Sequence, residues 1–219
     1  LRFDLGKVFG MYVGQSEGNL RRALRTAEAL APCVLWIDEI EKGFAGSTAG
    51  ELDSGTSARV FGAFLTWMQE KSAPVYVVAT ANRIQGLPPE LLRKGRFDEI
   101  FFIDLPISSE RREVLESHLL QRSRRPSEFD CDLLVKLTEG FASSDIEAVV
   151  DATLERAFAD GAREPTMADF VQVIERTLPL PATIGPEIQA LREHARTRAR
   201  PASSRGETVP IPSEEAYRD

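Results

Sequence analysis

Residues 34–41 read Val-Leu-Trp-Ile-Asp-Glu-Ile-Glu, an apolar run that ends in two adjacent acids. Such a run predicts a fully buried strand that delivers Asp38 and Glu39 to the carboxyl edge of a sheet, where α/β proteins bind phosphates and magnesium. One carboxylate there can hold a hard metal, directly or through water, and the other can activate an attacking water. The same residues also suit a buried strand followed by a solvated acidic turn. The flanking segments favour the first reading.

Upstream, Leu1 to Leu5 has the alternating character of a strand, followed by a glycine-flanked segment that contains Tyr12-Val13-Gly14. Ser16 can cap a helix in which Leu20, Ala23, Leu24, Ala27 and Leu30 recur at helical spacing, and Pro32 ends it. Downstream, residues 43–55 are rich in Gly, Ser and Thr and predict a loop. An amphipathic helix is expected over residues 57–70, with Phe61, Phe64, Leu65 and Met68 on one face. A second apolar strand follows over 75–80 and stops at Ala81-Asn82. Pro88-Pro89 predict a short helix carrying Arg93, ended by Gly95, and residues 99–105 predict one more strand. Strands alternating with helices imply a parallel α/β sheet up to about residue 106.

From Ser108 onward the pattern is helical throughout. Ser144 and Glu147 have capping-box spacing before the stripe Ile146, Val149, Val150, Leu154 and Ala157, and Thr166 can cap a further helix. The expected organisation is an α/β domain over 1–106, an all-helical module over 107–178, and a C-terminal helix with a polar, disordered tail over 179–219.

Composition narrows the function classes. The 219 residues are 42% hydrophobic and 28% charged with a net charge of −7, which is ordinary for a soluble globular protein and argues against a general nucleic-acid binder. No apolar stretch approaches the roughly 20 residues that span a bilayer, and a cytoplasmic location is expected. Cys33 and Cys131 are far apart in apolar surroundings and read as reduced thiols. His118 and His194 lack metal-ligand spacing.

The strand ending in Asp38-Glu39, the strand ending before Asn82, and Leu91-Leu92-Arg93-Lys94-Gly95-Arg96-Phe97-Asp98 occur in an order and at spacings that resemble the second half of an AAA+ ATPase module. The resemblance covers about residues 1–178. Within that superfamily, residues 31–41, 64–71 and 87–97 are similar to the hypothetical chloroplast-frame AAA+ proteins of plastids and cyanobacteria and their bacterial relatives.

The resemblance implies ATP and Mg2+ as cofactors and a homo-oligomeric ring acting on a protein substrate. By position, Asp38 would hold the metal shell, Glu39 would polarise the attacking water, and Asn82 would be the sensor amide that bonds water or a γ-phosphate oxygen. Arg93 and Arg96 match paired arginine fingers that reach a neighbouring subunit's nucleotide, with Lys94 in place of the usual proline. Gly140 to Ile146 resembles the lid signature beside adenine, with Ser143 and Ser144 replacing smaller residues. Tyr12-Val13 matches a central-pore loop that grips polypeptide. Each residue also has a plain alternative: a turn asparagine, surface arginines near a helix end, a core tyrosine.

No Gly-x-x-x-x-Gly-Lys-Ser/Thr occurs in these residues, so the loop that would wrap the phosphates is missing from them. Two explanations are open: a truncated ATPase, or a degenerate relative that serves as a non-catalytic scaffold. Retention of Asp38, Glu39, Asn82 and Arg96 together favours truncation, and on that reading these residues alone neither bind nor hydrolyse ATP. No His-Glu-x-x-His is present, which removes a built-in zinc protease from consideration.

Overall fold

Three parallel strands, β1 (Arg2–Phe3), β2 (Cys33–Ile37) and β3 (Val75–Ala79), lie in that order with Phe3 opposite Ile37, Leu35 opposite Val77 and Ile37 opposite Ala79. The computed structural model describes residues 1–4, 16–44, 54–84, 87–93, 95–203 and 208–213. Parallel strands need long crossovers. Here these contain α1 (Ser16–Ala29) before β2, and α2 (Ile40–Phe44) and α3 (Ser54–Glu70) between β2 and β3. The chain divides into two compact units, Leu1–Glu99 and Ile100–Asp219.

In the first unit Leu20, Leu24 and Ala27 of α1 and Val60, Phe64 and Met68 of α3 close over Leu35 and Ile37 of β2 and Val75 of β3. Phe3, Val77 and Ala79 pack against the same core. The Trp67 indole donates to Glu28 Oε1 at 2.9 Å and ties α3 to α1. The expectation that β2 is buried on both faces needs correction. Successive side chains point to opposite faces, and Val34 and Trp36 are 51% and 47% exposed while Leu35 and Ile37 are buried. Tyr76 and Val78, opposite them in the register, are exposed as well. The uniformly apolar sequence thus describes one buried and one exposed apolar face.

Two further local expectations are corrected. Residues 88–92 form successive turns, Leu91 N–H to Pro88 O and Leu92 N–H to Pro89 O, in place of a helix. Of residues 99–105 only β4 (Phe101–Phe102) is a strand, and it pairs in parallel with β5 (Arg200–Pro201) near the other end of the chain.

The second unit continues with α4 (Ser108–Gln121), α5 (Cys131–Leu137), α6 (Ser143–Ala159), α7 (Met167–Arg176), α8 (Leu180–Thr183) and α9 (Gly185–Arg198). Leu115 and Leu119 of α4, Leu134 of α5, Ile146 and Val150 of α6 and Phe170 of α7 form its core with Phe141. Arg111 is buried, and its guanidinium donates to Val135 O and Pro106 O, joining the start of α4 to the end of α5. Burial pushes its pKa down from the ordinary arginine value.

The cap of α6 differs from the expected Ser144–Glu147 box. Asp145 reaches back to accept the Ala142 N–H at 2.9 Å, whereas Glu147 pairs with Arg122 just past the end of α4. At α7 the Asp169 carboxylate accepts from both the N–H and the hydroxyl of Thr166.

The described part of the tail is not loose. Arg192 makes a bidentate contact with Asp104 at 2.8–2.9 Å and donates to Val209 O at 2.7 Å. Val209 is buried with Leu105 and Ile107. Gly140, at φ +79°, leaves room for the tail, since a β-carbon there would stand 3.0 Å from the Pro212 ring.

Candidate active site

β2 and β3 run side by side in register and end together, so the residues just past them meet at one edge of the sheet. Past β2 come Asp38 and Glu39; past β3 come Thr80, Ala81 and Asn82. Asp38 and Glu39 are both about one-third exposed in their side chains, at 36% and 38%. Glu39 adopts φ +48°, a left-handed conformation that few residues other than glycine take and that other contacts must hold in place.

Both carboxylates are engaged. Asp38 Oδ1 accepts from the Thr80 hydroxyl at 2.6 Å, and Oδ2 faces the Arg2 guanidinium at 3.2 Å. Arg2 in turn lies over the Trp36 ring, 5.7 Å from its centroid. Glu39 Oε1 accepts from the Asn82 side-chain amide at 3.2 Å and Oε2 from Lys42 at 2.7 Å. The Glu39 hydrogen bond is the main cause that raises the Lys42 pKa above the usual lysine value. Behind them lies Glu41, only 7% exposed. Its Oε1 accepts the Asn82 backbone N–H at 3.0 Å, and its Oε2 is buried without a hydrogen-bond partner among the described residues.

The structure therefore brings Asp38, Glu39 and Asn82 together. Arg93 is exposed, and Arg96 donates to Glu90 O at 3.0 Å beside Gly95, which takes φ +93°. Ser143 and Ser144 open α6 of the second unit and are exposed. Tyr12, Val13 and Lys94 lie outside the described residues.

Sequence reasoning missed Thr80, Glu41 and Lys42. A threonine closing an apolar strand reads as an ordinary β-former, and only the pairing of β3 with β2 puts its hydroxyl beside the acids. Glu41 was legible as one more acid, but its burial follows from the turn into α2.

The donor set suits magnesium. That ion takes one or two protein carboxylates and fills its remaining positions with water and substrate phosphate, so it needs no dedicated all-protein cage. Asp38 offers partly exposed carboxylate oxygens of this kind, and among the described residues no group of three or more His, Cys, Asp or Glu forms a cage for a metal.

The model of the ATPase family associated with various cellular activities (AAA) matches residues 1–105, a span that contains this whole cluster. Residues 1–105 belong to the AAA family. The chain is 47% identical over 205 residues to the uncharacterized AAA domain-containing protein ycf46 of Pyropia yezoensis, covering 93% of this chain and 41% of that protein. It is 44% identical over 196 residues to the ycf46 protein of Guillardia theta, with 89% and 38% covered. A more distant relative is the proteasome-activating nucleotidase of Aeropyrum pernix, 33% identical over 172 residues, with 75% and 41% covered. The chain thus spans about two fifths of the length of the curated relatives it matches. The parallel sheet with its flanking helices fits the AAA+ fold, and no helix among the described residues is long and apolar enough to cross a membrane.

Proposed function

We propose that this chain supplies the metal- and water-handling half of an ATP hydrolysis site, and that the whole protein couples ATP turnover to remodelling a protein partner. The observation that carries the reading is the convergence of Asp38, Glu39 and Asn82 at the ends of two adjacent parallel strands. Phosphoryl transfer to water depends on positioning and charge neutralisation more than on covalent help. Magnesium, when bound, neutralises charge on the phosphates. Asp38 would hold the metal shell through its carboxylate. Glu39 takes the proton from the attacking water, and the Asn82 amide orients that water or a phosphate oxygen without adding charge.

In the same proposal Arg96, with Arg93, stabilises developing charge at a neighbouring subunit's nucleotide in a homo-oligomeric ring. The segment Gly140 to Ile146, including Ser143 and Ser144, faces the adenine, and Tyr12-Val13 grips the polypeptide. The domain plan belongs to the proposal too: an α/β nucleotide-binding part over 1–106 and a helical lid over 107–178. The match to the ATPase family supports ATP as the nucleotide, and the nucleotidase name of the Aeropyrum relative agrees with nucleotide hydrolysis.

The alternative to this proposal is a non-catalytic AAA scaffold. Steady-state ATP hydrolysis by the whole protein, with and without magnesium, separates the two. Magnesium-dependent release of phosphate supports the enzyme. Partner binding that persists with no turnover supports the scaffold.

A further inference from the structure

Thr80 bonds in turn to each of four consecutive residues of the acid-bearing turn. Its N–H donates to Ile37 O at 2.9 Å, and its hydroxyl donates to Asp38 Oδ1 at 2.6 Å. The same hydroxyl accepts the Glu39 N–H at 3.0 Å, and its carbonyl accepts the Ile40 N–H at 2.9 Å. The two backbone bonds continue the β2–β3 ladder beyond Ala79 and require no particular side chain. The two side-chain bonds do, because they need one oxygen that donates in one direction and accepts in another.

Each side-chain bond does a separate job. Donation to Oδ1 fixes the rotation of the Asp38 carboxylate, which turns Oδ2 outward beside Arg2. Acceptance from Glu39 N–H occurs at the residue whose φ is +48°. That conformation costs on the order of 1–3 kcal/mol for a residue other than glycine and persists only where neighbours enforce it. Outer-shell partners of this sort set ligand orientation at metal sites.

We infer that Thr80 is a positioning residue which, through a single hydroxyl, fixes both Asp38 and Glu39 for magnesium binding and water activation. This rests on the assignment of those two acids proposed above. Thr80 touches neither substrate nor metal and acts through its two neighbours. Valine at this position keeps the shape and both backbone bonds but removes the hydroxyl, whereas serine keeps the hydroxyl and removes only a methyl group.

The test compares Thr80→Val and Thr80→Ser in the whole protein, with Mn2+ as the spectroscopic probe in the presence of a non-hydrolysed ATP analogue. Manganese affinity by electron paramagnetic resonance is expected to fall about tenfold or more in Thr80→Val and to stay within about twofold in Thr80→Ser. Amide hydrogen exchange at Glu39 is expected to speed up in the valine variant alone. Thr80→Ala, which is smaller, is expected to follow Thr80→Val and covers the case in which valine is poorly accommodated. Equal manganese affinities in all variants, or equal losses in Val and Ser, would overturn the role of the hydroxyl. Failure of the unsubstituted protein to bind manganese with nucleotide would instead overturn the assignment of the acid pair.

Discussion

The side-chain amide of Asn82 donates to Glu39 Oε1 at 3.2 Å, linking residues 43 positions apart through the ends of two strands. Asn82 is held at its other end by Glu41, whose buried carboxylate accepts the Asn82 N–H at 3.0 Å. The amide is therefore fixed from below by a buried acid and directed at the exposed one. In the proposed site this amide would orient the attacking water, since it offers both a donor and an acceptor and carries no charge.

Replacing Asn82 by alanine is expected to lower kcat of the whole protein by about 10²-fold, the order found when one preorganised polar contact to a transition state is lost. The KM for ATP should change by about threefold or less, because nucleotide binding draws on other contacts. Steady-state kinetics with purified variant measures both. A rise in KM with kcat unchanged would assign Asn82 to ground-state binding.

Among the described residues the Arg96 guanidinium donates to the Glu90 carbonyl at 3.0 Å and forms no ion pair with the acid cluster, so the proposed action on a neighbouring subunit can be tested apart from Asp38 and Glu39. Mixing Arg96→Ala subunits with Glu39→Gln subunits should restore turnover at those sites that combine an intact Glu39 with an intact neighbouring Arg96. Each homomer should be nearly inactive. Mixed assemblies, verified by mass, that recover nothing would count against action across a subunit boundary.

Asp169 in the second unit sets an expectation for pH. Its carboxylate accepts from Arg163 at 2.6 and 2.7 Å, from the Thr166 hydroxyl at 2.7 Å and N–H at 2.9 Å, and from Arg156 at 3.3 Å. The Arg163 hydrogen bonds, followed by those of Thr166, hold it well below the usual carboxylate range. A carboxyl depressed in the folded state stabilises the fold above its unfolded pKa of about 3.9, and that contribution is lost as pH falls below it. Asp169→Asn should therefore be less stable at neutral pH and should show a shallower loss of stability between about pH 4 and pH 2. Urea unfolding followed by far-ultraviolet circular dichroism across that range measures the difference. Parallel curves for the two proteins would contradict it.

Much of this architecture could be read from the residues because local chemistry determines it. The apolar runs at 33–37 and 75–79 are too short and too β-rich for helices, and the spacing of Leu20, Leu24 and Ala27 describes one helix face. Asp38, Glu39 and Asn82 were visible as polar residues that terminate those runs. What escaped depends on which segment sits beside which. The pairing of Phe101–Phe102 with Arg200–Pro201 spans about half the chain and leaves no periodic signal in either segment. An exposed apolar face, as at Val34 and Trp36, has the same composition as a buried one. The cap of α6 turned on whether Asp145 or Ser144 reaches the free N–H groups, a choice between neighbours of equal capping ability. Thr80 was hidden for the first of these reasons, since its hydroxyl has meaning only once β3 lies against β2.

If Glu39 activates water while Asp38 holds the metal, Glu39→Gln separates the two roles. Glutamine keeps the size of the side chain and can still meet the Asn82 amide through its oxygen, but it cannot take a proton at neutral pH. Steady-state ATP hydrolysis and equilibrium binding of ATP with magnesium should be measured on the same preparations of the whole protein. Turnover is expected to fall by about 10²-fold or more while the affinity for ATP is retained or increased, because Asp38 is untouched. Turnover in the variant equal to that of the unsubstituted protein would contradict it.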